Sequence, residues 1–192
     1  MVLSKLRPHV QKSLLALARR LGRRIRADYI TIASPLLALF VPVSIYYGHL
    51  YLSVIILLLV GFLDILDGAV ARETGMARPA GAFLDSMMDR FVDTIYYVSL
   101  ILAGYNALVV TLSLGFTITI TYSKARAASL GKPIEHRLLE RSDRIIIIAL
   151  LLIVAGSMSS YVMNAIMLTY MFGLFIAALY AVVLGVKTLD KV

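Results

Sequence analysis

The chain has 192 residues, 60% of them hydrophobic, with a formal net charge of +8 and a mean hydropathy of +0.88. That composition excludes a water-soluble globular domain. In so apolar a chain the basic surplus faces anionic lipid headgroups rather than nucleic acid. Zero cysteines exclude disulfides, thiolate metal sites and cysteine nucleophiles.

Residues 3–24 read as an amphipathic helix. Leu3, Leu6, Val10, Leu14, Leu17 and Leu21 recur at three- and four-residue steps, with Lys5, Lys12, Arg19, Arg20, Arg23 and Arg24 on the remainder. Eight of the 19 Lys and Arg lie in residues 1–26. Such a helix lies in the membrane interface with its basic face on the headgroups; a cleaved Arg-rich targeting peptide is the alternative. Residues 1–27 form this juxtamembrane element and 28–192 a single transmembrane domain.

Six spans follow, at about 30–47, 50–72, 81–104, 106–128, 142–162 and 164–186. The expected fold is therefore an all-α integral membrane bundle of six transmembrane helices behind an interfacial helix. Pro35 and Pro42 should kink the first span, which a bundle tolerates when neighbours re-satisfy the backbone. The breaks at Tyr47-Gly48-His49, Gly104-Tyr105-Asn106 and Gly156 to Ser160 carry no charge. The other two carry Arg72, Arg78, Lys124, Arg126, Lys132, Arg137, Arg141 and Arg144. The positive-inside rule then puts both termini and both charged loops in the cytoplasm. Asn and Gln are scarce (Gln11, Asn106, Asn164), as in thermophilic proteins.

Two aspartate pairs, Asp64/Asp67 and Asp85/Asp89, sit inside runs apolar enough to enter a bilayer. Each carboxylate at a membrane-helix centre costs roughly 2.5–3.5 kcal/mol on insertion scales, so four of them need a partner. At about 100° per residue, Asp64, Asp67, Gly68, Ala71 and Arg72 share roughly 140° of one helix face. On the next helix Gly81, Asp85, Asp89 and Asp93 recur every four residues. Two such stripes on antiparallel neighbours can face each other. All donors are hard oxygens, which favours Mg²⁺, Mn²⁺ or Ca²⁺. One or two such ions clamp the oxygens of a phosphoryl centre in in-line displacement. Gly68 allows close approach of a phosphate, Arg72 could pair with a pyrophosphate oxygen, and a carboxylate within reach could take a proton from an attacking hydroxyl. Helix–helix glue or an acidic ion pathway are the alternatives. Residues 123–144 form a basic cluster on the same side; ordinary snorkelling at span ends competes there with a cationic pocket for a phosphate-bearing substrate.

The acidic stretch matches without a gap the signature D-x2-D-G-x2-A-R-x8-G-x3-D-x3-D, here Asp64, Asp67, Gly68, Ala71, Arg72, Gly81, Asp85 and Asp89. In these residues the chain resembles the CDP-alcohol phosphotransferase family, and the six spans and basic amphipathic helix extend the likeness over nearly its whole length. The resemblance implies Mg²⁺- or Mn²⁺-dependent transfer of a phosphatidyl-type group from a CDP-lipid to an alcohol, with release of CMP, by a homodimer in the cell membrane. It implies that Asp64, Asp67 and Asp85 hold two metal ions with Asp89 nearby. It makes Asp89 the base for the acceptor hydroxyl. Gly68, Ala71, Arg72 and Gly81, with Asp64, line the site for the cytidine and its diphosphate.

Asp28 and Thr31 match the polar positions of a nucleotide-contacting Pro-Asn/Asp-x-x-Thr element, with Ala27 in place of the proline. Ser123-Lys124-Ala125-Arg126-Ala127 and Glu140-Arg141-x-Asp143-Arg144 are similar to elements of the inositol-phosphate-transferring branch, the second with Asp for a Glu. Carried over, Lys124, Arg126 and Arg144 hold the phosphate of inositol phosphate. Several cations converging on one pocket suit a dianionic acceptor, glycerol phosphate included, better than an uncharged alcohol. A cation transporter lined by the aspartates has no use for an arginine beside its path, and a silent scaffold would not need every motif carboxylate. The lipid tails, diacylglycerol or archaeol, are not read by any residue, although the Asn and Gln scarcity leans toward archaeol.

Overall fold

A computed structural model describes residues 15–190, and every regular element in them is helical. Residues 15–22 form α1; the earlier part of the expected amphipathic helix lies outside the described residues. Then follow α2 (Ala27–Ala38), α3 (Phe40–Tyr46), α4 (Leu50–Glu73), α5 (Pro79–Leu102), α6 (Ala107–Ser129), α7 (Arg141–Ala155) and α8 (Ser160–Leu189). The first expected span is interrupted at Leu39, three residues before Pro42. Proline supplies no N–H and its ring crowds the carbonyl four residues back, at Ala38, so the helix breaks there and restarts.

Four segments are long and apolar enough to cross a membrane: Ala27–Tyr46, Leu50–Glu73, Ala107–Ser129 and Ser160–Leu189. The two others differ for physical reasons. α5 has 24 residues, about 36 Å at 1.5 Å each, but carries Asp85, Asp89, Arg90 and Asp93. α7 has only 15 residues, about 22 Å against a hydrocarbon core of about 30 Å. It ends at Ala155, not at 162, and α8 begins at Ser160, not at 164.

The shortness of α7 is explained by the connection before it. Residues 130–140 do not loop away but run back along α8. Ile134 lies against Gly185, His136 Nε2 is 2.9 Å from the Ala177 carbonyl, and Leu139 lies against Gly173. On α8 these contacts fall on a stripe of small residues, Gly173, Ala177, Ala181 and Gly185, spaced four apart on one face. Small side chains let an irregular backbone approach closely. From Gly185 to Gly173 the chain travels about 18 Å along the bundle. α7 therefore starts deep, and its first residue is Arg141.

The core is aromatic and aliphatic: Tyr96, Tyr97, Leu57, Leu100, Ile148, Leu152, Met167 and Leu174 are almost wholly buried. Each buried tyrosine hydroxyl has a partner. Tyr96 donates to the Leu57 carbonyl at 3.0 Å, Tyr105 to the Leu151 carbonyl at 2.6 Å, and Tyr97 lies 2.8 Å from Thr117 Oγ1 and 3.0 Å from the Tyr170 hydroxyl. Large apolar side chains such as Ile55, Leu58, Phe91 and Ile176 cover the outside, as expected where the solvent is lipid.

Candidate active site

The site is assembled by a hairpin of two helices and closed by two helix starts. α4 ends at Glu73, Gly75 turns the chain with φ +67°, and Pro79 opens α5 with the φ that a first helical residue needs. The hairpin sets the two acidic stripes face to face. Asp64, Asp85 and Asp89 each offer a carboxylate oxygen, and the three oxygens lie within 4.8 Å of one another.

Asp67 lies beside this group and lines one cavity with Asp85. It is 4% exposed and accepts a 2.6 Å hydrogen bond from Thr31 Oγ1, tying α4 to α2. Three of the four motif carboxylates converge, and the fourth braces the neighbouring wall.

That wall belongs to a cavity of about 190 Å³ lined by Asp28, Thr31, Asp67, Gly68, Ala71, Arg72, Arg78, Gly81 and Asp85, among others. Six of the seven residues expected at the CDP-lipid therefore share one cavity; Asp64 stands outside it, in the convergent carboxylates. A β-carbon on Gly68 would stand 3.2 Å from Arg72 Nη1, so the glycine leaves room for the arginine to fold back over its own helix. Sequence reasoning missed Arg78. Its Nη2 donates to Asp28 Oδ2 at 2.6 Å, and Arg26 Nη2 reaches the same oxygen at 3.1 Å. The pair joins the α4–α5 turn to the start of α2 across the cavity mouth.

Arg141 was also missed as a site residue. Its Nη1 is 2.5 Å from Asp64, its Nη2 2.8 Å from Asp89 and its Nε 3.7 Å from Asp93. A reciprocal capping box between Glu140 and Asp143 fixes the start of α7. It sets Arg141 and Arg144 one turn apart on the same face. Arg144 is 3% exposed; it donates to the Leu139 carbonyl at 2.9 Å and lies 3.6 Å from Asp93. Lys124 and Arg126 sit on the last turns of α6, half-buried and exposed, with no ion pair to a described residue. Of the three expected acceptor residues, then, the acidic cluster gathers Arg144 alone.

Ligand oxygens of one hard cation lie about 2.0–2.6 Å from it, so a shared ion requires them to be no more than roughly 4–5 Å apart. The Asp64, Asp85 and Asp89 oxygens meet that condition and are all carboxylate. A carboxylate triad beside a cavity lined by charged side chains and two arginines fits an enzyme of phosphate-ester chemistry.

Known proteins agree. The family model for CDP-alcohol phosphatidyltransferase matches residues 24–186, and the chain belongs to that family. It is 34% identical over 164 residues to the archaetidylinositol phosphate synthase of Methanothermobacter thermautotrophicus, covering 85% of this chain and 80% of the relative. Its fold matches the crystal structure of Mycobacterium tuberculosis phosphatidylinositol phosphate synthase with CDP-DAG bound, with TM-score 0.71 and 25% identity over 93% of this chain and 92% of that one. The same enzyme in complex with manganese and citrate matches with TM-score 0.68 and 26% identity, over 92% of this chain and 87% of that one.

Proposed function

We propose that this enzyme transfers the phosphatidyl-type group of a CDP-lipid to inositol 1-phosphate, giving a phosphorylated phosphoinositide-type lipid and CMP. The observation that carries it is the convergence of Asp64, Asp85 and Asp89 within 4.8 Å beside the cavity that gathers Asp28, Thr31, Gly68, Ala71, Arg72 and Gly81. The inositol phosphate acceptor is supported by the 34% identical archaetidylinositol phosphate synthase, and the same relative supports an archaeol-type donor.

Asp64, Asp67, Asp85 and Asp89 would hold two Mg²⁺ or Mn²⁺ ions, which when bound neutralise charge on the diphosphate oxygens. The cavity takes the nucleotide end of the donor: Asp28 and Thr31 line its α2 wall, and Arg72 pairs with the diphosphate. Lys124, Arg126 and Arg144 take the phosphate of the acceptor. Asp89 accepts the proton of the attacking hydroxyl. The acceptor oxygen bonds to the lipid-side phosphorus, the bond from that phosphorus to the bridging oxygen breaks, and CMP leaves with the electron pair.

All six helical segments from α2–α3 to α8 cross the cell membrane in this reading. Both termini and the site face the cytoplasm, residues 1–27 lie at the interface, residues 28–192 form the transferase domain, and two copies form a homodimer. The uncharged turns at 47–49, 104–106 and 156–160 support that sidedness. α5 turns its charges inward, and α7 reaches its depth because residues 130–140 descend alongside α8. The absence of cysteine gives a direct topology test. Single cysteines at Arg137 and Met158, both exposed, should be labelled by a membrane-impermeant thiol reagent from opposite sides.

CMP release from CDP-archaeol and CDP-diacylglycerol with a panel of acceptors tests the function. Inositol 1-phosphate is expected to support the highest kcat/KM. Preference for glycerol 3-phosphate would move the enzyme to another acceptor, and turnover only with an uncharged alcohol would end the phosphate-pocket assignment.

A further inference from the structure

Asp93 lies one helical turn beyond Asp89 on α5, outside the eight motif positions, and the mechanism above gives it no task. It is 5% exposed. Three guanidinium groups surround its carboxylate. Arg90 Nη1 stands 3.5 Å and Arg144 Nη2 3.6 Å from Oδ2, and Arg141 Nε 3.7 Å from Oδ1. Helix packing alone needs no such arrangement, since a buried ion pair is often no more stabilising than well-packed apolar residues. The other contacts of these arginines lead to the site or to its frame. Arg90 lies 3.7 Å from Asp89, Arg141 bridges Asp64 and Asp89, and Arg144 holds the Leu139 carbonyl.

Arg141 addresses three carboxylates with its three nitrogens. Two of them, Asp64 and Asp89, change partners or charge during the proposed reaction. Asp93 does not take part in that exchange. It is the anion that stays in place while the others are engaged, and Arg144 has no other carboxylate within 4.0 Å among the described residues. Buried charges without a partner are costly: Asp93 is the one carboxylate beside Arg144 among the described residues, and for Arg141 it is the one of three that does not enter the exchange. The spacing of 3.5–3.7 Å exceeds hydrogen-bond length. Arg90 Nη1, Arg141 Nε, Arg144 Nη2 and Asp93 Oδ2 have no hydrogen-bond partner. The hold is therefore ionic, and the guanidinium groups keep donors to spare.

We propose that Asp93 is a positioning residue for the transfer reaction, the fixed counter-ion that keeps Arg141 and Arg144 beside Asp89 throughout turnover. It acts through the arginines and touches neither substrate. The proposal rests on the functional reading above, with Arg144 at the acceptor phosphate.

Asp93→Asn tests it, with CMP release, Mn²⁺ binding by electron paramagnetic resonance, and thermal stability in detergent measured on the same preparations. The acceptor KM is expected to rise about tenfold or more, while the KM for the CDP-lipid and the Mn²⁺ affinity stay within about twofold. Asp93→Glu, which keeps the charge, should restore most of the acceptor KM. Because losing one negative charge from among three buried arginines could prevent folding, the double variant Asp93→Asn with Arg90→Gln removes one cation with the anion; it too should show the raised acceptor KM. A folded variant of either kind with an unchanged acceptor KM, its rate falling only with its folded fraction, would overturn the proposal. Wild-type turnover separates the two levels. If the wild type releases no CMP with any phosphorylated acceptor, the functional reading and this proposal fall together. If it turns over normally and the variants keep its acceptor KM, Asp93 alone was misassigned.

Discussion

Two neighbouring regions of this bundle treat buried polar groups in opposite ways. Around Tyr96, Tyr97, Tyr105 and Tyr170 every hydroxyl is hydrogen-bonded, to a carbonyl or to another hydroxyl. Around Asp64, Asp89 and Asp93, three arginines and three carboxylates crowd together, and Arg90, Asp93, Arg141 and Arg144 all keep buried atoms without a hydrogen bond. The first region is the one that packing alone would build. In the second, polar groups held together and left unsaturated are poised for ligands that are themselves charged. Stability and chemistry thus follow one another along the same helix: α5 carries Asp85, Asp89 and Asp93, and one turn further on Tyr96 and Tyr97.

Substitutions in the two regions should separate accordingly. Asp89→Asn is expected to have the largest effect, a loss of about 10²–10⁴ in turnover, the usual contribution of a general base, with CDP-lipid binding retained. Near-normal turnover by a CMP-release assay would remove Asp89 from that role. Thr31→Val comes next. It takes from Asp67 its only side-chain hydrogen bond among the described residues, leaving a buried acceptor unmet at about 1–3 kcal/mol, and should raise the CDP-lipid KM more than the acceptor KM. Lys124→Ala or Arg126→Ala should do the reverse, raising the acceptor KM by about tenfold; an unchanged value would place the acceptor elsewhere. Tyr97→Phe, in the other region, should leave both KM values alone and cost about 1 kcal/mol of stability, read as a lowered thermal midpoint in detergent. An altered acceptor KM in that variant would erase the contrast between the two regions.

The helices and the acidic stripes were readable because both are local patterns. Apolar runs of span length, turn residues between them and aspartates at four-residue steps need no knowledge of the fold, and the hairpin brings Asp64, Asp85 and Asp89 together as their spacing implied. What was not readable depends on distant contacts. Asp67 turns to Thr31, 36 residues away, and Arg141 reaches Asp64 across 77; no periodicity announces either. Arg78 was visible only as a loop charge. The course of residues 130–140 had a signal, the Gly173, Ala177, Ala181 and Gly185 stripe on α8, but a row of small residues is equally what two packed helices use. Only the pairing of Ile134, His136 and Leu139 with that row distinguishes the two.

The central claim is that carboxylates from α4 and α5 hold one divalent cation jointly. Mn²⁺ titration of the detergent-purified protein, followed by electron paramagnetic resonance, reads it without any substrate. The wild type should bind Mn²⁺, and Asp64→Asn and Asp85→Asn, on different helices, should each weaken binding by about tenfold or more. Affinity unchanged by either substitution would contradict the account.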